Sequence, residues 1–359
     1  MSRYPLLATL TAASCLSSLA HAQSSVTVYG VADVGMTYIS NEGGSSTTAL
    51  KDGVLFGNRL GFRGQEDLGG GYAAHFTLEQ GLNLGTGQFG QGGRAFGRQS
   101  FVGLKTPYGN FSAGRQYDAI KDYLNPLNIG GWATTYAGHH GDFDRISGGR
   151  VDGSVRYASP DLGGLTFTAL YAAKTSNSLQ TVSAGAGYKT DKLSLGAAYF
   201  RQKGGTVYPD LQMGFSDFLG VAMSGTGTPV TLDTQETIGL GGSYDFGAFN
   251  IVANATTTKM ELGTNSERQK VFEVGSKIKA SDKVTAFVAW QHSRMAGAKW
   301  NQPTMGAWYS LSRRSWFYTA VSYMKASSGI QANQGAGFYF GNSSNSEQTS
   351  VRLGMVHMF

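Results

Sequence analysis

The last ten residues, 350–359, read SVRLGMVHMF. Chain ends usually fray and are rich in polar residues. Here Val351, Leu353, Met355, His357 and Phe359 alternate with Arg352, Gly354, Val356 and Met358 up to the final residue. Successive side chains of a strand point to opposite faces, so a largely apolar set with period two marks a strand with one face kept from water. A strand that runs to an aromatic C-terminus needs a partner for its edge, and the rest of the chain must supply it.

Composition narrows the possibilities. Of 359 residues 52 are Gly and 14% are charged, against roughly 25% charged in an ordinary soluble domain. Mean hydropathy is -0.20, and beyond the N-terminus no apolar run approaches the ~20 residues a membrane helix needs. At the start, Arg3 precedes an apolar stretch from Leu6 to Leu19, then Ala20-His21-Ala22 offers a small-x-small cleavage site. Residues 1–22 are expected to be a secretory signal peptide, leaving 23–359 as one barrel domain. Cleavage removes Cys15, the only cysteine, so the exported chain has neither a disulfide nor a thiol ligand. The net charge of +6 comes without a run of basic residues, and with export this argues against nucleic acid as a partner.

Alternation recurs along the whole chain. Val26, Val28, Ala32, Val34, Met36 and Tyr38 oppose Thr27, Tyr29, Asp33 and Thr37; Leu165, Phe167, Ala169 and Tyr171 oppose Thr166 and Thr168; Val284, Ala286, Val288 and Trp290 oppose Thr285 and Gln291. Short connections such as DLGGG (67–71), TPYG (106–109) and DLGG (161–164) alternate with longer polar ones, notably 118–149, 204–234 and 326–346. About 16 segments of roughly 10 residues, apolar faces nearly free of charge and aromatics near their ends describe an all-β, antiparallel transmembrane barrel. In lipid an unpaired strand edge is costly, so the last strand is expected to close on the first.

The chain resembles the trimeric general-diffusion porins of Gram-negative bacteria, of the beta-proteobacterial and neisserial type. SVTVYGVADVG (25–35), NRLGFRGQEDLGGG (58–71), GRQSFVGLKTPYGNFSAGRQYD (97–118), RVDGSVRYASPDLGGL (150–165) and GMVHMF (354–359) carry the likeness. It implies a 16-stranded barrel with short periplasmic turns, long extracellular loops and an inward-folded third loop. It also implies a homotrimer in the outer membrane, in contact with membrane lipid and lipopolysaccharide. Phe359 becomes the signal read by the barrel-assembly machinery, and the channel passes small hydrophilic solutes and ions. A 16-strand barrel is too wide to fill with side chains and holds water.

Register then sorts the charges. Arg59, Gly61, Arg63 and Gln65 share a face opposite Leu60, Phe62 and Gly64. In strand four Arg98 and Ser100 are expected to oppose Phe101 and Gly103. In strand six Arg150, Asp152, Ser154 and Arg156 are expected to oppose Val151, Val155 and Tyr157. An arginine facing the lipid mid-plane would cost about 2–4 kcal/mol, so these side chains are expected to face the lumen. The resemblance assigns Arg59, Arg98 and Arg150 to the cationic wall of a pore constriction, with Arg63, Arg156, Glu79, Asp33 and Asp152 as further lumen charges. The constriction loop is 118–149, whose charges Asp118, Lys121, Asp122, Asp142, Asp144 and Arg145 avoid its tip, PLNIGGWATTY. A cationic ring without facing carboxylates implies anion preference. Arg115, with the parity of Phe111 and Ala113, is assigned to the trimer interface.

Other signals are weaker. GTGQFG (85–90) fits a dinucleotide fingerprint in form, but no helix follows it. HHGDFD (139–144) offers metal-ligand types on loose spacing, better explained as loop polarity. A barrel enzyme would need a His paired with Asp or Ser at the rim; only His139 and His140 lie in a long loop. No catalytic residue, cofactor or metal is expected. A substrate-specific uptake channel of the same fold is the nearer alternative.

Overall fold

Large apolar side chains such as Leu240 (63% exposed) and Leu353 (62%) lie on the outside, while Asp33, Glu273 and Arg352 are buried within. The inversion is what a wall facing hydrocarbon outward and polar groups inward requires. The computed structural model describes residues 25–337 and 339–359; the expected signal peptide lies outside them.

Sixteen antiparallel strands close the wall: β1 (Ser25–Glu42), β2 in two segments (Ser45–Asp52 and Arg59–Gly69), β3 (Tyr72–Gly81), β4 (Gln99–Thr106), β5 (Gly109–Tyr117), β6 (Arg150–Ala158), β7 (Leu165–Ala172), β8 (Thr181–Lys189), β9 (Leu193–Gln202), β10 (Thr234–Asp245), β11 (Asn250–Leu262), β12 (Asn265–Lys279), β13 (Val284–Met295), β14 (Ala298–Ser310), β15 (Ser315–Ala326) and β16 (Glu347–Met358). One rim carries only short turns. The other carries the long loops but also two-residue turns at 43–44, 263–264 and 296–297, where Gly43 and Gly44 both take positive φ (64° and 104°). That is the backbone a tight hairpin demands.

β16 lies between β15 and β1, in register from Val31↔Met358 to Ile39↔Ser350. Phe359 finishes the seam. Its N–H donates to Gly30 O at 3.2 Å, and Gly30 N–H donates to Phe359 O at 3.0 Å. The Phe359 ring covers Gly30, where a Cβ would overlap it.

Behind the seam β2 leaves the sheet. Residues 53–58 dip into the barrel, seating Val54 beside Ile39 and Tyr136, and Leu55 beside Trp316 and Tyr318. Asp33 holds this excursion by accepting from the N–H groups of Leu55 (2.5 Å) and Phe56 (3.0 Å) and from the Tyr318 hydroxyl (2.6 Å). Arg352 of β16 pairs with it at 3.3 Å. Asp33 therefore faces inward, as its parity requires, but it is withdrawn from the lumen water into this network.

Two register expectations are corrected. In β4 the exposed pair is Val102 (62%) and Leu104 (40%), so Phe101 and Gly103 face inward. Arg98 precedes the paired segment, and parity counted from it does not carry into the strand. In β6 a bulge opposite Gly114–Gln116, with Gly153 at φ 56°, shifts the alternation. Val151 is buried against Ile120 and Leu124, and Asp152 turns to the opposite face.

Replacing Phe359 by Asp should abolish recovery of the folded, heat-modifiable barrel from the outer membrane. Gly30→Val should reduce it in the same direction. A normal yield of heat-modifiable protein from Phe359→Asp would show that the seam closes without the terminal ring.

Candidate functional site

Two walls border a cavity of about 1220 Å³ inside the barrel. On one, three cations gather about a single phenol, and a fourth, Arg59, joins them through Glu79. Tyr117, which ends β5, accepts from Arg98 Nη2 (3.1 Å) and Arg150 Nη2 (2.7 Å). The Arg150 guanidinium lies 4.6 Å and the Lys121 ammonium 5.6 Å from the centre of its ring. Arg98 Nε donates to Glu79 Oε1 at 2.7 Å, Tyr29 donates to Glu79 Oε2 at 3.0 Å, and Arg59 stands 3.9 Å from the same carboxylate. The three arginines expected to lie together do so. Lys121 joins them, and Glu79 sits inside the cluster rather than across from it. Guanidinium groups stay charged at any accessible pH. Lys121 does not: burial, then the charges of Arg150, Arg59 and Arg98, push it down to about 8.

The loop 118–149 forms the facing wall, and apart from Lys121, which joins the cation cluster, its charges fold the loop and hold it to the barrel. Asp118 caps the helical turn Ala119–Tyr123 and accepts from Arg145 Nε at 2.8 Å, which joins the two ends of the loop. Arg145 also lies 4.1 Å over the Phe200 ring. Asp122 pairs with Arg156 at 2.7 Å, so Arg156 is engaged beneath the loop rather than free in the lumen. Asp142 accepts from Ser147 N–H at 3.1 Å, and burial, reinforced by Asp144, pushes it up to about 6. Arg63 keeps an inward position, 5.3 Å over the Tyr29 ring.

Barrel positions that read only as polar alternation seat the loop. Asn254 donates to Leu127 O (2.7 Å), Gln269 to His140 O (2.6 Å) and Gln302 to Tyr136 O (2.9 Å), while Gln291 accepts from His140 N–H (2.8 Å). Each satisfies loop backbone that would otherwise be buried unpaired. Inward glycines supply the space. Side chains at Gly185 or Gly187 would overlap the Tyr123 ring, and one at Gly275 would overlap Ile129.

Besides the Asp122–Arg156 pair, a second, fully buried ionic contact ties loop to wall. His139 lies between Asp144 of the loop and Glu273 of β12, whose Oε2 is 3.5 Å from its Nε2, and all three side chains are fully buried. Glu273 also accepts from Gly130 N–H (2.6 Å) and Asn254 (2.8 Å). Burial alone would push the imidazole down, but Asp144 and Glu273 hold it up at about 10. His139 and the HHGDFD acids are thus a loop anchor, and no group of metal-ligating side chains occurs among the described residues.

Sequence reasoning missed Tyr117, the Glu273 anchor and Asp52, which borders the cavity and accepts from Asn58 Nδ2 at 2.8 Å. Glu273 carried a findable signal, being a polar residue of lumen parity on a strand already identified, whereas Tyr117 shares the outward parity of Arg115 and meets the lumen arginines only beyond the register shift at Gly114–Gln116. Outside the lumen, Asp152 pairs with Arg115 at 2.5 Å and with Arg94 at 2.9 Å. Arg115 keeps its outward parity, and Asp152, expected in the lumen, is its partner there.

A family model described as Gram-negative porin matches residues 8–329. Outer membrane porin protein 32 of Delftia acidovorans is 29% identical, with 96% of each chain covered. A major outer membrane protein P.IB of Neisseria lactamica is 25% identical over 94% of this chain and 95% of that one. Among solved structures, an anion-selective porin from Comamonas acidovorans superposes with a TM-score of 0.78 at 24% identity, covering 94% of this chain and 100% of the other.

Removing one partner of a buried ion pair costs about 3–5 kcal/mol. Glu273→Ala should therefore loosen the loop, and limited subtilisin digestion should cut within 118–149 where the wild type resists. His139 is held above its ordinary value, so its anchoring is complete below about 6.5 and fades as pH rises through about 10. Wild-type cleavage that stays flat between pH 8 and 11 would show that the clamp does not hold the loop.

Proposed function

The chain belongs to the Gram-negative porin family and is a passive diffusion channel of the outer membrane, and on that premise we propose that its lumen favours anions. The observation that carries this reading is the convergence of Arg98, Arg150 and Lys121 on Tyr117 beside the cavity, joined by Arg59 through Glu79, the one carboxylate among the described residues that is paired to that cluster. Fixed charges beside a lumen attract counter-ions more strongly than in bulk water, because the protein wall lowers the local dielectric. The structural relative from Comamonas acidovorans is itself named an anion-selective porin. Small hydrophilic solutes pass in the same water.

Arg98 differs from the others. It covers Glu79, so its loss both removes a positive charge and uncovers a negative one. Arg63 stands apart from the cluster, over Tyr29. The working unit in this reading is a homotrimer, whose interface includes Arg115 on the outer face beside Asp152 and Arg94. Export depends on the leader 1–22, with cleavage after Ala22.

In planar bilayers under a salt gradient, the wild-type reversal potential should report anion preference. It should be strongest near 0.1 M salt, where the Debye length is about 10 Å, and weak at 1 M, where it is about 3 Å. Arg98→Gln and Arg59→Gln should reduce it more than Arg63→Gln. Cation preference in the wild type at low salt would overturn the electrostatic reading and leave the channel intact. A second dependence comes from Lys121. Preference should fall as pH rises through about 8, and Lys121→Arg should abolish that pH dependence. Sedimentation in mild detergent should give the mass of three chains, and a clean monomer would remove Arg115 from any interface.

A further inference from the structure

The lumen wall next to the cation cluster is aromatic. Phe56, from the excursion of β2, and Trp132, from the helical turn Ile129–Ala133 of the loop, both border the cavity and are only half-buried. Their ring centres are 6.1 Å apart with the planes at 71°. Trp308 of β14 stands 5.9 Å from Phe56 and 6.1 Å from Trp132, and Trp316 of β15 backs Phe56 at 5.8 Å. Aromatic pairs prefer such edge-on and tilted arrangements. Four rings from four separate elements hold one another in place.

A bore that passes ions by diffusion has no use for this patch. Apolar surface kept against water is unfavourable in proportion to its area. Packing alone does not explain the choice of residues either. The indole N–H groups of Trp308 and Trp316 are buried and find no acceptor among the described residues, whereas Leu or Phe would fill the space without burying a donor.

The aromatic patch and the cations meet at Gly57. Arg59 Nε donates to Gly57 O at 3.0 Å, and a Cβ on Gly57 would come within 2.8 Å of Arg98 Nη1. Each guanidinium keeps donors in reserve. Arg98 uses Nε on Glu79 and Nη2 on Tyr117, but its Nη1 makes no hydrogen bond among the described residues. Arg59 turns Nη1 toward Glu79 at 3.9 Å, and its Nη2 is likewise unengaged among them. Planar N–H donors of this kind match the two oxygens of a carboxylate. Phe56 directly precedes Gly57, so the unengaged donors and the aromatic patch adjoin. An apolar lining with a few fixed polar groups is the usual make-up of a small-molecule site.

We propose that this part of the lumen is a binding site for aromatic carboxylates. Arg98 Nη1 and Arg59 take the carboxylate, and the ring lies against Phe56 and Trp132. The proposal deepens the anion reading of the lumen and rests on it, since without those cations the carboxylate has no partner. An aliphatic anion such as acetate uses the arginines alone and passes on. An arene carboxylate also covers the apolar patch and is held longer. The rings are fixed before the solute arrives, so binding carries little ordering cost. While held, the solute interrupts the flow of smaller ions through the same bore.

The test uses the protein purified from outer membranes in mild detergent and inserted into planar bilayers. Sodium acetate, cyclohexanecarboxylate and benzoate are added in turn at neutral pH, and the concentration that halves the chloride current is read for each. Benzoate should block at the lowest concentration, roughly 5-fold below cyclohexanecarboxylate, because aromatic rings favour one another beyond the area they bury. Acetate should block least. Phe56→Leu and Trp132→Leu should each raise the benzoate value roughly 5-fold, removing its advantage over cyclohexanecarboxylate. Trp290→Leu, on the lipid-facing side of β13, should not move it. Arg59→Gln should weaken block by all the carboxylates together. The chloride reversal potential recorded on the same membranes reports on the anion reading by itself. Cation preference there overturns that reading and this site with it. Anion preference with benzoate no stronger than cyclohexanecarboxylate overturns the aromatic site alone, as does benzoate block that survives both Phe56→Leu and Trp132→Leu.

Discussion

Hydrocarbon offers no hydrogen bond to a bare peptide group, and every architectural choice in this chain follows from that. An open sheet edge in lipid would leave a row of N–H and C=O groups unpaired at several kcal/mol each. The sixteen strands therefore form a ring, and the ring depends on one join, β16 against β1. Its two ends are secured differently. At the short-turn rim Phe359 closes over Gly30 by backbone hydrogen bonds and ring contact. Inside the wall, Arg352 of the last strand donates to Gly35 O (3.1 Å) and Thr37 Oγ1 (2.8 Å) of the first while pairing with Asp33. The same aspartate anchors the excursion of β2, so closing the ring and shaping its interior are one event.

Lining the inside with polar groups solves the lipid problem and creates a second one. The loop 118–149 brings its own backbone into the barrel, away from bulk water, and each of its carbonyls needs a donor. Gln235, Asn254, Gln269 and Gln302 supply them from four different strands. Amides suit the task because they donate and accept without the desolvation cost of a charge. Where charge is used, at His139, it is met by a carboxylate on each side.

Much of this was legible in the sequence. Period-two alternation located the strands, the terminal aromatic implied closure, and common parity turned Arg59 and Arg63 inward, while the place of Arg98 came from the resemblance. Parity failed where backbone irregularity intervened. Gly153 resets the count in β6 and turns Asp152 outward, and the turn before Gln99 does the same for β4. Neither break has a side-chain signature, since glycine abounds in this chain. The excursion at 53–58 was missed for a related reason. GVLFGN reads as an ordinary apolar stretch, and only Asp33, distant in sequence, makes leaving the sheet favourable. The loop's seat was hidden because glycines and amides gain meaning only once the strands that carry them are placed side by side.

A hollow cylinder with a water-filled bore has little to stop it flattening under the lateral pressure of a bilayer. The loop 118–149 leaves the wall at β5, touches β8 and β9 through Tyr123, is clamped to β12 by Glu273 and reaches β14 through Gln302 before returning to β6. Mechanically that is a strut fixed at several points around the hoop. The segment that narrows the bore thus also keeps its cross-section round, and transport through a fixed aperture and stiffness against the membrane come from the same thirty-odd residues.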